Sequence, residues 1–251
     1  MRSLADFYDE LHAQEKSYSG ANYYMRSLWT HSAVKAWAVR MRRRPIRLLD
    51  VGCGKGYFLR DFAAGIAAHW QLHHSRAVGL DLVRSSGDVF AELNPAIEFL
   101  QADTDGKPLP LDEKSQELIA CNHVLEHVFY TESLVREFRR VLSPEGICII
   151  GVPNIAAWVN RIGFLWGNQP LGTEVGVEKT TYGFRPRFLQ AKLEAYRPAG
   201  HIRPFTPRGL QDLSQHCGFH VAGWWTQSHG LVARLHKWAG RNMAIILRPN
   251  K

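Results

Sequence analysis

The sequence predicts a doubly wound α/β fold. Seven strands form a mostly parallel sheet with an antiparallel last strand, preceded by an N-terminal helical segment and interrupted by an insertion after strand five. Three observations carry this. Short apolar runs alternate with helix-like stretches between residues 46 and 152. A glycine-rich turn joins the first run to the first of those helices. And 251 residues, 45% of them hydrophobic, suffice to bury one large core without staples.

The elements follow in order. In the N-terminal segment, residues 1–45, the side chains Tyr23, Tyr24, Leu28, Trp29, Val34, Trp37 and Val39 recur at roughly helical spacing. Arg40, Arg42, Arg43 and Arg44 read as a solvated helix end complementing the helix dipole, and Pro45 stops the helix. Ile46–Val51 is the first buried strand and Tyr57–Ala68 a helix. Ala77–Leu82, Ile97–Gln101, Glu117–Asn122 and Gly146–Val152 are strands two to five, with a helix around Val89–Leu93 between the second and third. Thr131–Leu142 is a helix with Leu134, Val135, Phe138 and Val141 on one face. Residues 154–205, rich in Gly, Pro, Arg and aromatics, form an insertion expected to contain short helices, because structureless loops of that length are rare. Thr206 caps a helix with Pro207 in its first turn, ending at Gly218. Phe219–Trp225 and Met243–Leu247 close the sheet as an antiparallel pair.

Composition narrows the function classes. The four cysteines (Cys53, Cys121, Cys148, Cys217) are scattered, which argues against a disulfide framework and a zinc knuckle and suits a reducing cytoplasm. No apolar run reaches the ~20 residues of a membrane span, and Met1–Glu10 lacks the apolar core of a secretory signal. The net charge of +8 permits an anionic partner without selecting one.

The chemistry gathers at strand ends. Asp50-Val51-Gly52-Cys53-Gly54-Lys55-Gly56 runs from a strand into a helix, so backbone amides can approach a ligand closely. The spacing is G-x-G-x-G, not the G-x-G-x-x-G of a pyrophosphate cradle. Asp50, two residues before the first glycine, suits an ammonium better than a phosphate. Asp81 ends the second strand, where an acid can take both ribose hydroxyls. Asp103, in Gln101-Ala102-Asp103-Thr104, follows the third strand and can accept from an exocyclic amine. An ammonium, a ribose and an adenine amine together describe S-adenosylmethionine.

On these residues the chain resembles class I S-adenosylmethionine-dependent methyltransferases, in particular the group of ubiquinone-biosynthesis O-methyltransferases and small-molecule and sugar methyltransferases. Cys121-Asn122-His123-Val124-Leu125-Glu126-His127-Val128 and Arg140-Val141-Leu142-Ser143-Pro144-Glu145-Gly146 strengthen the resemblance, which runs from Arg47 to about Val221. It implies a Rossmann-like sheet in a single domain over residues 1–251. It implies that Gly52, Gly54 and Gly56, with Cys53, line the methionine end of the cofactor and that Asp50 reaches its amino group. Asp81 is expected to bind the ribose, Leu82 to pack on the adenine, and Asp103 with Thr104 to meet the adenine amine. Asn122 and His123 are expected to border the cofactor.

The acceptor is expected to be a small molecule, anionic or glycosylated, methylated on a hydroxyl oxygen and bound by the insertion. A hydroxyl is a weak nucleophile, so a base is expected: His201 first, in Gly200-His201-Ile202-Arg203-Pro204-Phe205-Thr206, then His123 and His127. His127 reads more readily as a packed histidine orienting the helix start, and His123 equally as a base or as packing, with the cofactor wall as a further role. Resemblance to the ubiquinone-pathway enzymes would also place Glu126 and His127 at a divalent metal. Neighbours on a helix point apart, however, and no third ligand is apparent, so no metal is expected. Nucleic acid is not the expected partner, because the Asn/Asp-Pro-Pro-aromatic motif of base-amine methylation is absent after strand four. RNA or protein methylation, a dinucleotide-dependent dehydrogenase and a non-catalytic cofactor binder remain as rival readings.

Overall fold

The computed structural model describes residues 31–42, 44–84, 90, 97–183, 198–227 and 238–250. Seven strands build one sheet: β1 (Ile46–Val51), β2 (His74–Asp81), β3 (Ile97–Gln101), β4 (Gln116–Asn122), β5 (Leu142–Pro153), β6 (Phe219–Thr226) and β7 (Asn242–Pro249). Their order is β3-β2-β1-β4-β5-β7-β6. The first five pair in parallel, and β7 runs antiparallel to both β5 and β6. The predicted sheet is therefore the observed one.

Alternation along the strands sorts the core into two layers. Leu48, Ala77, Leu118, Ile147, Ala244 and Ile246 face one way, against Val34, Trp37 and Met41 of α1 (Ser32–Met41) and Phe62 and Ile66 of α2 (Tyr57–Trp70). Their sequence neighbours Leu49, Val78, Ile119, Cys148, Ile245 and Leu247 face the other way. They pack on Leu134, Val135 and Phe138 of α3 (Thr131–Val141) and on Leu210 of α5 (Pro207–His216). Both faces are covered, which is why these strands read as continuous apolar runs.

Most predicted boundaries fall within a few residues of the observed ones. Thr206 caps α5 as expected, its Oγ1 accepting from the Gly209 amide at 3.1 Å. The fifth strand starts earlier than predicted, at Leu142, because Leu142 still pairs with Gln116 before the register jumps to Leu118↔Ile147. Helix α1 stops at Met41, short of Pro45. Arg40, Arg42 and Arg44 are exposed, as a solvated helix end should be, and Arg44 pairs at the surface with Glu145 of β5. Tyr23, Tyr24, Leu28, Trp29 and, apart from Phe90, the helix expected around Val89–Leu93 lie outside the described residues.

Two features of this topology position a site. The chain leaves β1 toward β2 and β3 but leaves β4 toward β5, so the carboxyl ends of β1 and β4 flank a crevice. The insertion leaves β5 and returns at one point, where Asn154 and Phe205 form a parallel bridge and the Ile155 amide donates to the Phe205 carbonyl at 3.0 Å. Its described helix is α4 (Trp158–Leu165). Among the described residues no helix is long and apolar enough to cross a membrane.

Candidate active site

The glycine loop is shaped by close packing. Gly52, Gly54 and Gly56 have φ values of +72°, +51° and +84°, the left-handed region that costs a side chain energy. A Cβ on Gly52 would stand 2.0 Å from the Val124 side chain beyond β4. The first glycine thus lets the loops after β1 and β4 touch. The Gly52 amide donates to the Leu80 carbonyl at 2.7 Å, fixing the loop to β2. The Cys53 side chain is buried and packs with the core cluster.

Asp50 is the penultimate residue of β1, Asp81 ends β2 and Asp103 lies just past β3, so the three acids share the carboxyl ends of neighbouring strands. Asp50 and Asp81 are buried. Asp81 Oδ2 accepts from the Gly54 amide at 2.8 Å and Oδ1 from the Val83 amide at 3.3 Å, so this acid also clamps the glycine loop. Asp50 Oδ2 is buried and has no hydrogen-bond donor among the described residues. Burial, and then the nearby Asp81 charge, push the Asp50 carboxyl well above its usual range. A buried acceptor beside a second carboxylate is a socket for a cation. Asp103 is more exposed: Oδ2 pairs with Lys107 at 2.9 Å and Oδ1 accepts from the Asp105 amide at 3.0 Å. Lys107, chiefly, holds its carboxyl low. Leu82 and Thr104 are partly exposed on the loops after β2 and β3.

Past β4 a second cluster forms. Asn122 ends the strand, and His123 takes the left-handed φ of +56°, rare for a side-chain-bearing residue. That turn brings His123 Nδ1 to 3.1 Å from Glu126 Oε1. Leu125–His127 is a 3-10 turn, and here the expectation that Glu126 and His127 diverge is corrected. His201 arrives from the end of the insertion, its Nε2 3.8 Å from Glu126 Oε1 and its ring centroid 4.9 Å from that of His127. The amides of Ile202 and Arg203 both donate to the Glu126 carbonyl, at 2.9 and 3.0 Å, which seats this segment against the turn.

Sequence reading missed Glu174. Its Oε2 lies 3.3 Å from His201 Nδ1, and its carboxylate accepts from the Ala199 and His201 amides at 3.2 Å each. Glu126 was named only as a companion of His127, yet it is the centre of the cluster. It is 1% exposed, and its Oε2 has no hydrogen-bond donor among the described residues. Burial pushes the Glu126 carboxyl up, but the His123 contact and the His123 and His127 charges outweigh it and hold the pKa low. Burial lowers the His127 pKa. Burial alone would lower His201 too, but the Glu174 and Glu126 carboxylates raise it. Burial opposes the shift at Glu174, yet contact with His201 brings its carboxyl to about 2. Ligand atoms of Glu126, His127 and His201 lie within 4.8 Å of one another, an oxygen and two nitrogens suited to a divalent cation.

Comparison with known proteins agrees with this geometry. A family model described as a methyltransferase domain matches residues 49–150. A ubiquinone/menaquinone biosynthesis C-methyltransferase of Campylobacter jejuni is 22% identical over 122 residues, 49% of this chain and 51% of that protein. A malonyl-[acyl-carrier protein] O-methyltransferase of Serratia marcescens is 27% identical over 120 residues, 48% of this chain and 43% of that protein. The chain thus spans about half the length of the curated relatives it matches. The crystal structure of a Burkholderia thailandensis 1,6-didemethyltoxoflavin-N1-methyltransferase, with S-adenosylhomocysteine bound, superposes with a TM-score of 0.54 at 15% identity. It covers 100% of this chain and 92% of that one, a likeness of fold. Residues 49–150, which carry the glycine loop and the strand-end acids Asp50, Asp81 and Asp103, are thus similar to a methyltransferase domain.

Proposed function

We propose that this protein transfers a methyl group from S-adenosylmethionine to a hydroxyl oxygen of a small acceptor. The observation that carries the reading is the buried, donor-less Oδ2 of Asp50 below the glycine loop. A carboxylate there repels a pyrophosphate and attracts the ammonium of a methionine moiety, which disfavours a dinucleotide. Asp81 is the ribose ligand in this reading and Asp103 the adenine ligand, with Lys107 moving aside. Gly52, Gly54 and Gly56 line the methionine end, with Leu82, Thr104, Asn122 and His123 along the rest.

When bound, the cofactor supplies a methyl group already activated on a sulfonium. The protein's part is to align the acceptor, exclude water and take up the hydroxyl proton. His201 is the base: its Nε2 lies 3.8 Å from Glu126 Oε1, in the cluster past β4. Its raised pKa means that the neutral, proton-accepting ring gains population as pH rises, so turnover should climb through that pKa. Relatives named for C-, O- and N-methylation leave the acceptor atom to this local argument. The insertion is the acceptor's wall. Arg203 lies 4.9 Å over the Phe129 ring and donates to its carbonyl at 2.9 Å, while its Nε is buried without a hydrogen-bond acceptor among the described residues. That donor favours an anionic or glycosylated acceptor. The four free, buried thiols suit the cytoplasm.

The test is calorimetric titration with S-adenosylmethionine, S-adenosylhomocysteine and NAD. Binding of both sulfur ligands and not of NAD supports the reading, and absence of both sinks it. A second reading is favoured by the donor-less Glu126 Oε2: Glu126, His127 and His201 would hold a divalent cation that polarises the hydroxyl. Titration with magnesium, manganese and zinc separates the two readings.

A further inference from the structure

We propose that α4 and the turn after it form a docking surface for an anionic lipid bilayer, on which the protein lies without spanning it. The inference goes beyond the methyltransferase reading and does not depend on it.

Helix α4 is turned inside out. Of its eight residues only Asn160 is buried. That side chain is well satisfied. Its Nδ2 donates to the Ile155 and Leu171 carbonyls at 3.1 Å each, and its Oδ1 accepts from the Leu171 amide at 2.9 Å. A polar residue thus holds the helix to the insertion, while its apolar residues face out. Trp158, Ile162 and Leu165, spaced four and three apart, share the outer face, and Trp166 follows at the helix end. Leu165 and Trp166 are 76% and 75% exposed. Nine of the twelve large exposed hydrophobic side chains among the described residues belong to residues 154–205, so the patch is concentrated and not scattered. A surface helix ordinarily buries such a stripe against its own core. One that presents it to the outside is built for a partner.

The chemistry of the face selects that partner. Tryptophan stands at both ends of the helix, and indole rings settle at the headgroup level of a bilayer. Arg161 lies exposed beside the apolar stripe, and residues 154–173 contain no Asp or Glu to repel an anionic surface. Across residues 154–205 there are seven Lys and Arg against three Glu, so half of the net charge of +8 sits in this insertion. Arg161 can meet a lipid phosphate as the neighbouring rings enter the interface. Eight residues rise about 12 Å, far short of the ~30 Å hydrocarbon core, so the helix can lie in the interface but not cross it. A second copy is the poorer occupant. Two such faces brought together bury two Arg161 guanidiniums with no carboxylate in residues 154–173 of either copy to pair them. The insertion returns at the Asn154–Phe205 bridge and lies against the Glu126 turn beyond β4. Docking through α4 therefore ties the membrane to the segment that reaches the strand-end cluster.

The experiment is flotation of the purified full chain with two vesicle preparations: phosphatidylcholine alone, and equal parts phosphatidylcholine and phosphatidylglycerol. The wild type should bind the anionic vesicles at least about tenfold better, and high salt should reduce that preference. Replacing three exposed side chains together, Ile162→Ser, Leu165→Ser and Trp166→Ser, should cut binding to the anionic vesicles by about tenfold or more. Because these side chains are exposed, the urea midpoint should hold, which separates loss of docking from loss of fold. A wild type that binds neither preparation, or both equally, overturns the proposal, and this comparison does not depend on the variant folding. A folded triple variant that floats like the wild type overturns it too. Sedimentation without vesicles reads the rival occupant: a concentration-dependent dimer that the triple variant loses gives the face to a second copy and overturns the membrane assignment. Titration with S-adenosylhomocysteine is independent of these outcomes, so failure of the methyltransferase reading and failure of this one are told apart.

Discussion

Asp50 and Glu126 are both buried carboxylates at strand ends, yet burial acts on them in opposite ways. Asp50 faces another acid, Asp81, and its carboxyl is pushed up. Glu126 faces three histidines, and its carboxyl is held low. Among the described residues Asp50 Oδ2 has no hydrogen-bond donor, which is why the proposed ligand is a cation. The second supplies its own positive groups and can trade protons among them. One side of the crevice between β1 and β4 thus holds a pair of buried acids, the other a buried carboxylate among histidines.

The sharpest way to break this contrast is at the proton-handling side. His201→Ala should lower turnover by about 10²–10⁴-fold if the ring is the base, with S-adenosylmethionine affinity within about twofold. A fall smaller than about tenfold with binding intact removes His201 from that role. On the receiving side the largest effect belongs to Gly52→Ala. The added methyl meets Val124 and the residue keeps a φ of +72°, so denaturant unfolding should show a loss of about 2–4 kcal/mol. Unchanged stability would mean that the loops after β1 and β4 do not touch as described. Asp81→Ala comes next. Loss of the Gly54 clamp and of the proposed ribose contacts should weaken S-adenosylhomocysteine binding by about 1–3 kcal/mol by calorimetry. Equal affinity would place the nucleoside elsewhere.

The two sites also differ in how far they can be read from the chain. Asp50, the glycines and Asp81 sit within a few residues of strand ends that apolar runs announce, and the parallel sheet alone brings those ends together. Local pattern was therefore enough for that edge and for the seven strands. Glu174 and His201 are 27 residues apart, in an insertion without periodicity whose returning end is seated by the Asn154–Phe205 bridge and by the Ile202 and Arg203 amides on the Glu126 carbonyl. Glu126 and His127 were expected to diverge because a regular α-helix was assumed. The 3-10 turn, entered through the left-handed His123, aims them at one cluster instead. Asp103 was recognised as a strand-end acid, but its pairing with Lys107 four residues on was not.

The smallest effect tests Asp50 through stability rather than binding. Its folded pKa lies above its unfolded value, so across the interval between them the native state holds a proton that the unfolded chain has released. Wild-type stability should therefore fall as pH rises through that interval, at no more than about 1.4 kcal/mol per pH unit for a single proton. Asp50→Asn keeps the shape and removes the charge, so urea midpoints between pH 4 and 8 should decline less steeply in the variant. Near pH 8 the variant should be the more stable protein without ligand and the weaker binder of S-adenosylmethionine. Saturating S-adenosylmethionine should in turn flatten the wild-type decline, because an ammonium placed against Asp50 favours the ionised carboxylate. Identical slopes for the two proteins would show that Asp50 is already neutralised within the fold, and its contrast with Glu126 would disappear.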